Sequence, residues 1–187
     1  MTMFAQPMST SGEEPAPDEL IALSRLEATC NTIRLRIAAL APDQLYRGTV
    51  DQLSIAEEIG LAVDRERAYL DAFRRAQTES RPQLIEPQPG PALLDREFHE
   101  DLAMLFDLRR GTLNLLRTIN DEGWSQLVSM PGGGTATLRE LAIRLAQQDA
   151  RMLRTISEQR RVFLRTSGVD ELRDAGVAGK LSPNIGQ

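Results

Sequence analysis

Apolar residues recur in steps of three and four along four separate stretches of this chain, and no stretch of comparable length alternates with a period of two. Such a ladder lies on one face of a helix. The first stretch runs from about Asp18 to Leu40, with Leu23, Leu26, Cys30, Ile33, Ile37 and Leu40 as its stripe, and Pro42 stops it. The second, about Ser54 to Ala76, carries Ile55, Ile59, Ala62, Glu66, Tyr69 and Phe73, and opens on a capping box, Ser54 with Glu57. The third, about Ala92 to Asn120, carries Phe98, Leu102, Leu105, Arg109, Thr112, Leu116 and Ile119, with Pro91 placed for a first helical turn. The fourth opens on a second capping box, Thr137 with Glu140, and continues to Arg160 or beyond through Leu138, Leu141, Leu145, Gln148, Met152 and Ile156. Four amphipathic helices of this length must bury their stripes on one another, so the expected fold is an all-α four-helix bundle with no sheet.

The connections constrain the topology. Between the second and third helices the segment Gln77–Gly90 holds Pro82, Pro87 and Pro89, which stiffen it into an extended strap. At ~3.1 Å per residue such a strap can run the length of a bundle. It therefore permits parallel second and third helices, in an up-down-down-up order. Residues 1–17 are polar and rich in Pro and Ser and read as a disordered tail. The bundle domain is expected over 18–166. The stretch 167–187, with its several glycines, reads as an irregular, flexible tail holding at most a short helix over 169–174.

Composition narrows the setting. The single Cys30 cannot close an intrachain disulfide, which fits a reducing compartment. The first residues lack the basic and apolar regions of a signal peptide, and no window approaches the ~20 apolar residues of a membrane span. A cytoplasmic protein without a membrane partner is expected. With a net charge of −5 and arginines interspersed among acids, nucleic acid is not an expected partner either.

In order and spacing, several runs match a known pattern. The run Asp43–Arg47 (DQLYR) precedes Leu53–Ile59 (LSIAEEI). Phe106–Arg109 (FDLR) is followed by Thr112, Leu113, Leu115, Leu116 and then Trp124. Pro131–Gly133 leads into Thr137–Leu141 (TLREL) and on to Asp149 and Leu153. Over roughly residues 20–160 the chain resembles the DinB-like superfamily. That resemblance implies a four-helix bundle and a relation to thiol-dependent transferases and isomerases. It also implies a divalent metal held by three histidines, one on the second helix and two spaced four apart on the fourth. Here those positions fall on Leu61, Gln148 and Met152. Leucine cannot ligate, glutamine is a weak neutral donor, and methionine is a soft donor suited to copper(I). The only histidine in the chain is His99. The reading is a degenerate member with no metal cofactor and no catalytic residue assigned. The alternative metal site would be rebuilt from Asp64, Glu66 and Asp149. The expected function is a metal-free, non-catalytic binding or interaction domain, working as a homodimer as members of the superfamily often do. The rival is a thiol-dependent transferase or isomerase acting without the metal, or with substituted ligands, on a small molecule or thiol.

Glu66 and Arg109 interrupt apolar stripes, and with Gln148 they count to a similar depth in the bundle. They are candidates, with Trp124 and Met152, for lining a ligand pocket; the competing readings for Glu66 and Arg109 are a buried ion pair that fixes register, or snorkelling to the edge. Trp124 reads more simply as a plug at the bundle end. Pro131–Gly134 lacks the Lys-Ser/Thr of a phosphate loop and reads as a turn. Cys30 has no histidine to activate it and reads as a core residue, and His99 as a surface or boundary residue.

Overall fold

The computed structural model describes residues 17–48, 52–93 and 96–178, the side chains of 17, 92 and 166–178 apart. Four long helices make the frame: α1 is Pro17–Ile37, α3 Ile55–Ala76, α4 Phe98–Leu116 and α6 Leu138–Ala178. Two single-turn helices, α2 (Pro42–Leu45) and α5 (Asp121–Trp124), and a hairpin of β1 (Leu127–Ser129) and β2 (Thr135–Thr137) fill the connections. No described helix is long and apolar enough to cross a membrane.

The helix directions follow from which residues meet. Glu19 pairs with Arg139, and Thr29 with Asp149, so α1 and α6 run parallel. Glu66 pairs with Arg109 while Leu70 lies beside Gly111, so α3 and α4 are also parallel. Gln159 donates to the Leu53 carbonyl at the foot of α3, which sets α6 antiparallel to it. Arg34 stacks on Phe106 and Glu27 pairs with Arg117, which sets α1 antiparallel to α4. The order is up-down-down-up, and the proline-bearing strap is the crossover that makes it possible. Leu84 of the strap is buried, and its N–H donates to the Ser129 carbonyl at 2.9 Å while Ser129 N–H donates to Pro82 at 2.9 Å. Glu86 accepts from the Tyr69 hydroxyl at 3.0 Å and from Arg144 at 3.1 Å, fastening the strap across α3 and α6.

Both capping boxes form. Ser54 accepts from Glu57 N–H at 3.2 Å and Glu57 reaches back to Ser54 N–H at 2.7 Å; Thr137 and Glu140 do the same at 3.2 and 2.7 Å.

Several expectations need correction. A small antiparallel hairpin exists where no sheet was expected. Gly132, Gly133 and Gly134 all take positive φ (81°, 100° and 82°), which folds Leu127–Ser129 back on Thr135–Thr137, and three-residue strands are too short to show a period of two. The third long helix starts at Phe98 rather than Ala92, because Pro91–Leu93 forms a 3₁₀ turn that seats Leu93 against α3 beside Gly60. It also stops at Leu116, before Asn120, whose side chain caps α5 instead. The fourth helix runs unbroken through Ala178, past the expected irregular tail from 167; Gly168 and Gly176 lie inside it, each ~1 kcal/mol less favourable than alanine, which is why the segment reads as tail. Of the expected disordered tail 1–17, residues 1–16 lie outside the described residues, and Pro17 opens α1 instead.

The core is two apolar clusters. One holds Ala22, Leu26, Tyr69, Phe73, Leu113, Leu116, Trp124, Leu138, Leu141 and Leu145. The other holds Ile33, Ile55, Ile59, Val63, Phe98, Leu105, Met152 and Ile156. Between the two, each long helix contributes a buried polar residue to one layer: Thr29, Glu66, Arg109 and Asp149.

Candidate functional site

That polar layer is the chemical centre of the molecule. Each side chain stands at a regular step of its helix stripe, so packing the stripes together brings the four to one level. Arg109 is 2% exposed and Glu66 1%. The guanidinium has five N–H donors, and five contacts meet it. Its Nε donates to Glu66 Oε1 at 3.0 Å, and one terminal nitrogen donates to Glu66 Oε2 at 2.7 Å and Asp149 Oδ1 at 3.1 Å. The other donates to Asp149 Oδ2 at 2.6 Å and to the Leu26 carbonyl at 2.9 Å. The Thr29 hydroxyl stands 2.8 Å from Asp149 Oδ2 and 2.9 Å from the Arg25 carbonyl, and its one proton serves one of them at a time. Burial opposes the charge on Arg109. The Asp149 and Glu66 carboxylates outweigh it and hold the guanidinium's pKa above the ordinary arginine value.

Sequence reasoning placed Glu66 and Arg109 at one depth, and they meet. Gln148, the third member, does not join them. It is half-buried one residue away on the helix and points to the strap, its Nε2 3.4 Å from Glu86 and its Oε1 buried without a hydrogen-bond partner among the described residues. Asp149 and Thr29 take the inner positions. The signal was ambiguous: 145-148-152 and 145-149-152 are both helical ladders, as are 26-30-33 and 26-29-33. The ladder through Cys30 is the more apolar of the two, whereas Thr29 is the buried residue and Cys30 is half-buried. Cys30 therefore lines the wall of an open groove rather than the core. This groove, about 250 Å³, lies between α1 and α4 and is also lined by Arg34, Phe106, Arg109, Arg110 and Arg117. Burial raises the Cys30 thiol pKa; Arg109 and Arg34 oppose the rise, while Asp149 and Glu66 add to it.

Trp124 is buried in the upper cluster, that of Leu26 and Phe73, and Met152 in the lower, that of Ile33 and Ile59. Leu61 is buried on α3. His99 is exposed, its ring edge-on to Phe98 at 5.4 Å. A hydrocarbon, a thioether packed among apolar side chains and one amide do not make a donor set for a divalent ion. Of the alternative carboxylates, Asp64 is held by Arg96 at 2.9 Å, and Glu66 and Asp149 by Arg109. Among the described residues, no group of three or more His, Cys, Asp or Glu side chains is arranged to hold a metal ion.

No protein-family model matches the chain. No curated protein matches it either. Among solved structures it is similar to YfiT from Bacillus subtilis, described as a probable metal-dependent hydrolase with an unusual four-helix bundle topology. The two are 16% identical, with a TM-score of 0.72 over 86% of this chain and 93% of that one. At that identity the likeness speaks for the fold alone, a four-helix bundle.

Proposed function

We propose that this protein is a metal-free, non-catalytic binding or interaction domain built on a DinB-like bundle. The observation that carries the reading is the saturation of Arg109. All five of its donors are taken by Glu66, Asp149 and Leu26, so the polar layer keeps no guanidinium donor for a substrate. Leu61 and Met152, where the superfamily places two of its ligands, offer hydrocarbon and a soft sulfur in apolar surroundings. Such a layer specifies the register of four helices rather than a reaction. The reading extends to a homodimer, for which the exposed Leu20, Ile21 and Leu35 of α1 offer apolar surface. Metal analysis of untagged protein tests the central claim: the expected content is below a tenth of an ion per chain, and stoichiometric zinc or nickel would overturn it. Light scattering should give twice the 20.8 kDa chain mass.

One observation favours a second reading, a thiol-dependent transferase or isomerase that needs no metal. The α1–α4 groove sets Cys30 and several arginines around a cavity large enough for a small anionic thiol adduct. A thermal-shift series with low-molecular-weight thiols separates the two. The binding-domain reading expects no shift, whereas a saturable shift lost in Arg110→Gln would favour the enzyme.

A further inference from the structure

The end of the bundle where α1 stops carries a feature that neither reading uses. A cavity of about 400 Å³ is lined by Arg36 of α1 and by Ser157, Arg160, Arg161, Leu164 and Arg165 of α6. Among the described residues, no carboxylate lines it. The α6 residues stand at steps of three, four, seven and eight from Ser157, so they share one helix face. Several other surface arginines are answered by acids: Arg75 by Glu79, Arg96 by Asp64 and Asp101, Arg144 by Glu86. Arg160, Arg161 and Arg165 make no ion pair among the described residues, and Glu158 on the same helix makes none with them. Among the described residues, the Nε of Arg160 is buried without a hydrogen-bond partner. Arg36 is already fixed in place, donating to the Leu153 carbonyl and the Ser157 hydroxyl.

This arrangement is costly by itself. Like charges one turn apart on a helix repel, and a buried N–H without an acceptor loses its hydration. In a chain of net charge −5, four guanidinium groups around one cavity are a local reversal of sign. A bound polyanion removes both costs at once: it supplies acceptors to the guanidinium forks and balances several charges. Guanidinium groups match phosphate oxygens in paired, parallel hydrogen bonds. A single carboxylate balances one charge of four. We propose that this cavity is a binding site for the diphosphate group of a small molecule, held by Arg36, Arg160, Arg161 and Arg165. The volume suits a small molecule and is far too small for a nucleic-acid duplex. The α6 arginines of the site lie about 16–24 Å along the helix from Asp149. It stands or falls separately from the polar layer.

Titration calorimetry with inorganic pyrophosphate, on the full untagged chain at constant ionic strength near 0.15 M, tests this. The expected result is one site per chain, binding pyrophosphate at least tenfold more tightly than sulfate. The exposed pair Arg161→Gln/Arg165→Gln should weaken it at least tenfold. A charge-matched control on α3, Arg67→Gln/Arg74→Gln, should leave it within twofold. Circular dichroism melting of each variant shows whether it folds, and an Arg161→Lys/Arg165→Lys variant that folds yet binds clearly more weakly would support paired guanidinium recognition. No binding, equal affinity for sulfate, or equal weakening by the α3 control would each overturn the proposal. So would much tighter binding of single-stranded RNA or of anionic vesicles than of pyrophosphate, since either would assign the patch to a macromolecular phosphate surface.

Discussion

Arg109 is the residue whose removal should be felt most. Substituting it with methionine leaves Glu66 and Asp149 as two buried carboxylates with no cation, and breaking a buried pair from one side costs about 3–5 kcal/mol. Urea unfolding should show that loss, and a change under ~1 kcal/mol would mean the layer holds nothing together. Replacing Glu66, Arg109 and Asp149 together by apolar residues of similar volume should recover most of the loss, because desolvation of the ions disappears along with their attraction. Lysine at 109 should not rescue, since an ammonium has three donors and cannot copy the fork. Cys30 gives a second expectation. Its thiol is held above its ordinary pKa chiefly by burial, so less thiolate is present at pH 8 than in a free cysteine. Modification by a disulfide reagent should be slower than for an unfolded peptide containing the same residue. A neutral thiol favoured by the fold contributes stability below the unfolded pKa, and that contribution is lost as pH rises through the raised folded value. A rate equal to or faster than the peptide's would show that Arg109 and Arg34 win over burial.

At the level of elements, the helix stripes were legible because period and caps agree. Ile55, Ile59, Ala62, Glu66, Tyr69 and Phe73 are all buried on α3, in the order that the spacing implies. Ser54 and Glu57 close the box that starts that helix. Ser54→Ala should therefore cost about 1 kcal/mol and lower Tm by roughly 2–4 °C in a domain of this size, measured by thermal melting. A larger loss would mean that Ser54, itself buried, is also packing α3 against the loop before it. The candidate site was only half legible. Glu66 and Arg109 stand out because each breaks an apolar ladder with a charge. Asp149 does not, because its neighbour Gln148 fits the same ladder and a one-residue choice rotates the helix by 100°. What settles the rotation is non-local: α6 packs against α1 on one side and α3 on the other, so its buried arc is wide and reaches Asp149. The hairpin and the 3₁₀ turn were hidden for a similar reason. Both are a few residues long, and tertiary contacts at Ser129 and Gly60 hold them rather than any local period.

For the molecule as a whole, the strap decides the topology. Two parallel pairs, α1 with α6 and α3 with α4, require one connection to run the length of the bundle, and the chain from Gln77 to Gly90 does so. Its prolines remove backbone donors and reduce the entropy of the free segment, so ordering it costs less than ordering a glycine-rich linker would. Few contacts then suffice to hold it. Leu84 is inserted into the upper apolar cluster, its N–H is bonded to Ser129, and Glu86 ties the far side to Tyr69 and Arg144. If the strap is part of the cooperative core, the Leu84 amide should exchange with solvent only through global unfolding, at the same free energy as the amides of α3. Leu84→Ala should cost about 2–5 kcal/mol and lower the protection of both sets of amides together. If the strap is instead an independent flap, the substitution should expose the Ser129 amide while α3 keeps its protection. The first outcome is expected, because Leu84 belongs to the apolar cluster that α3, α4 and α6 share, and the hairpin that receives its N–H leads directly into α6 through the Thr137 cap.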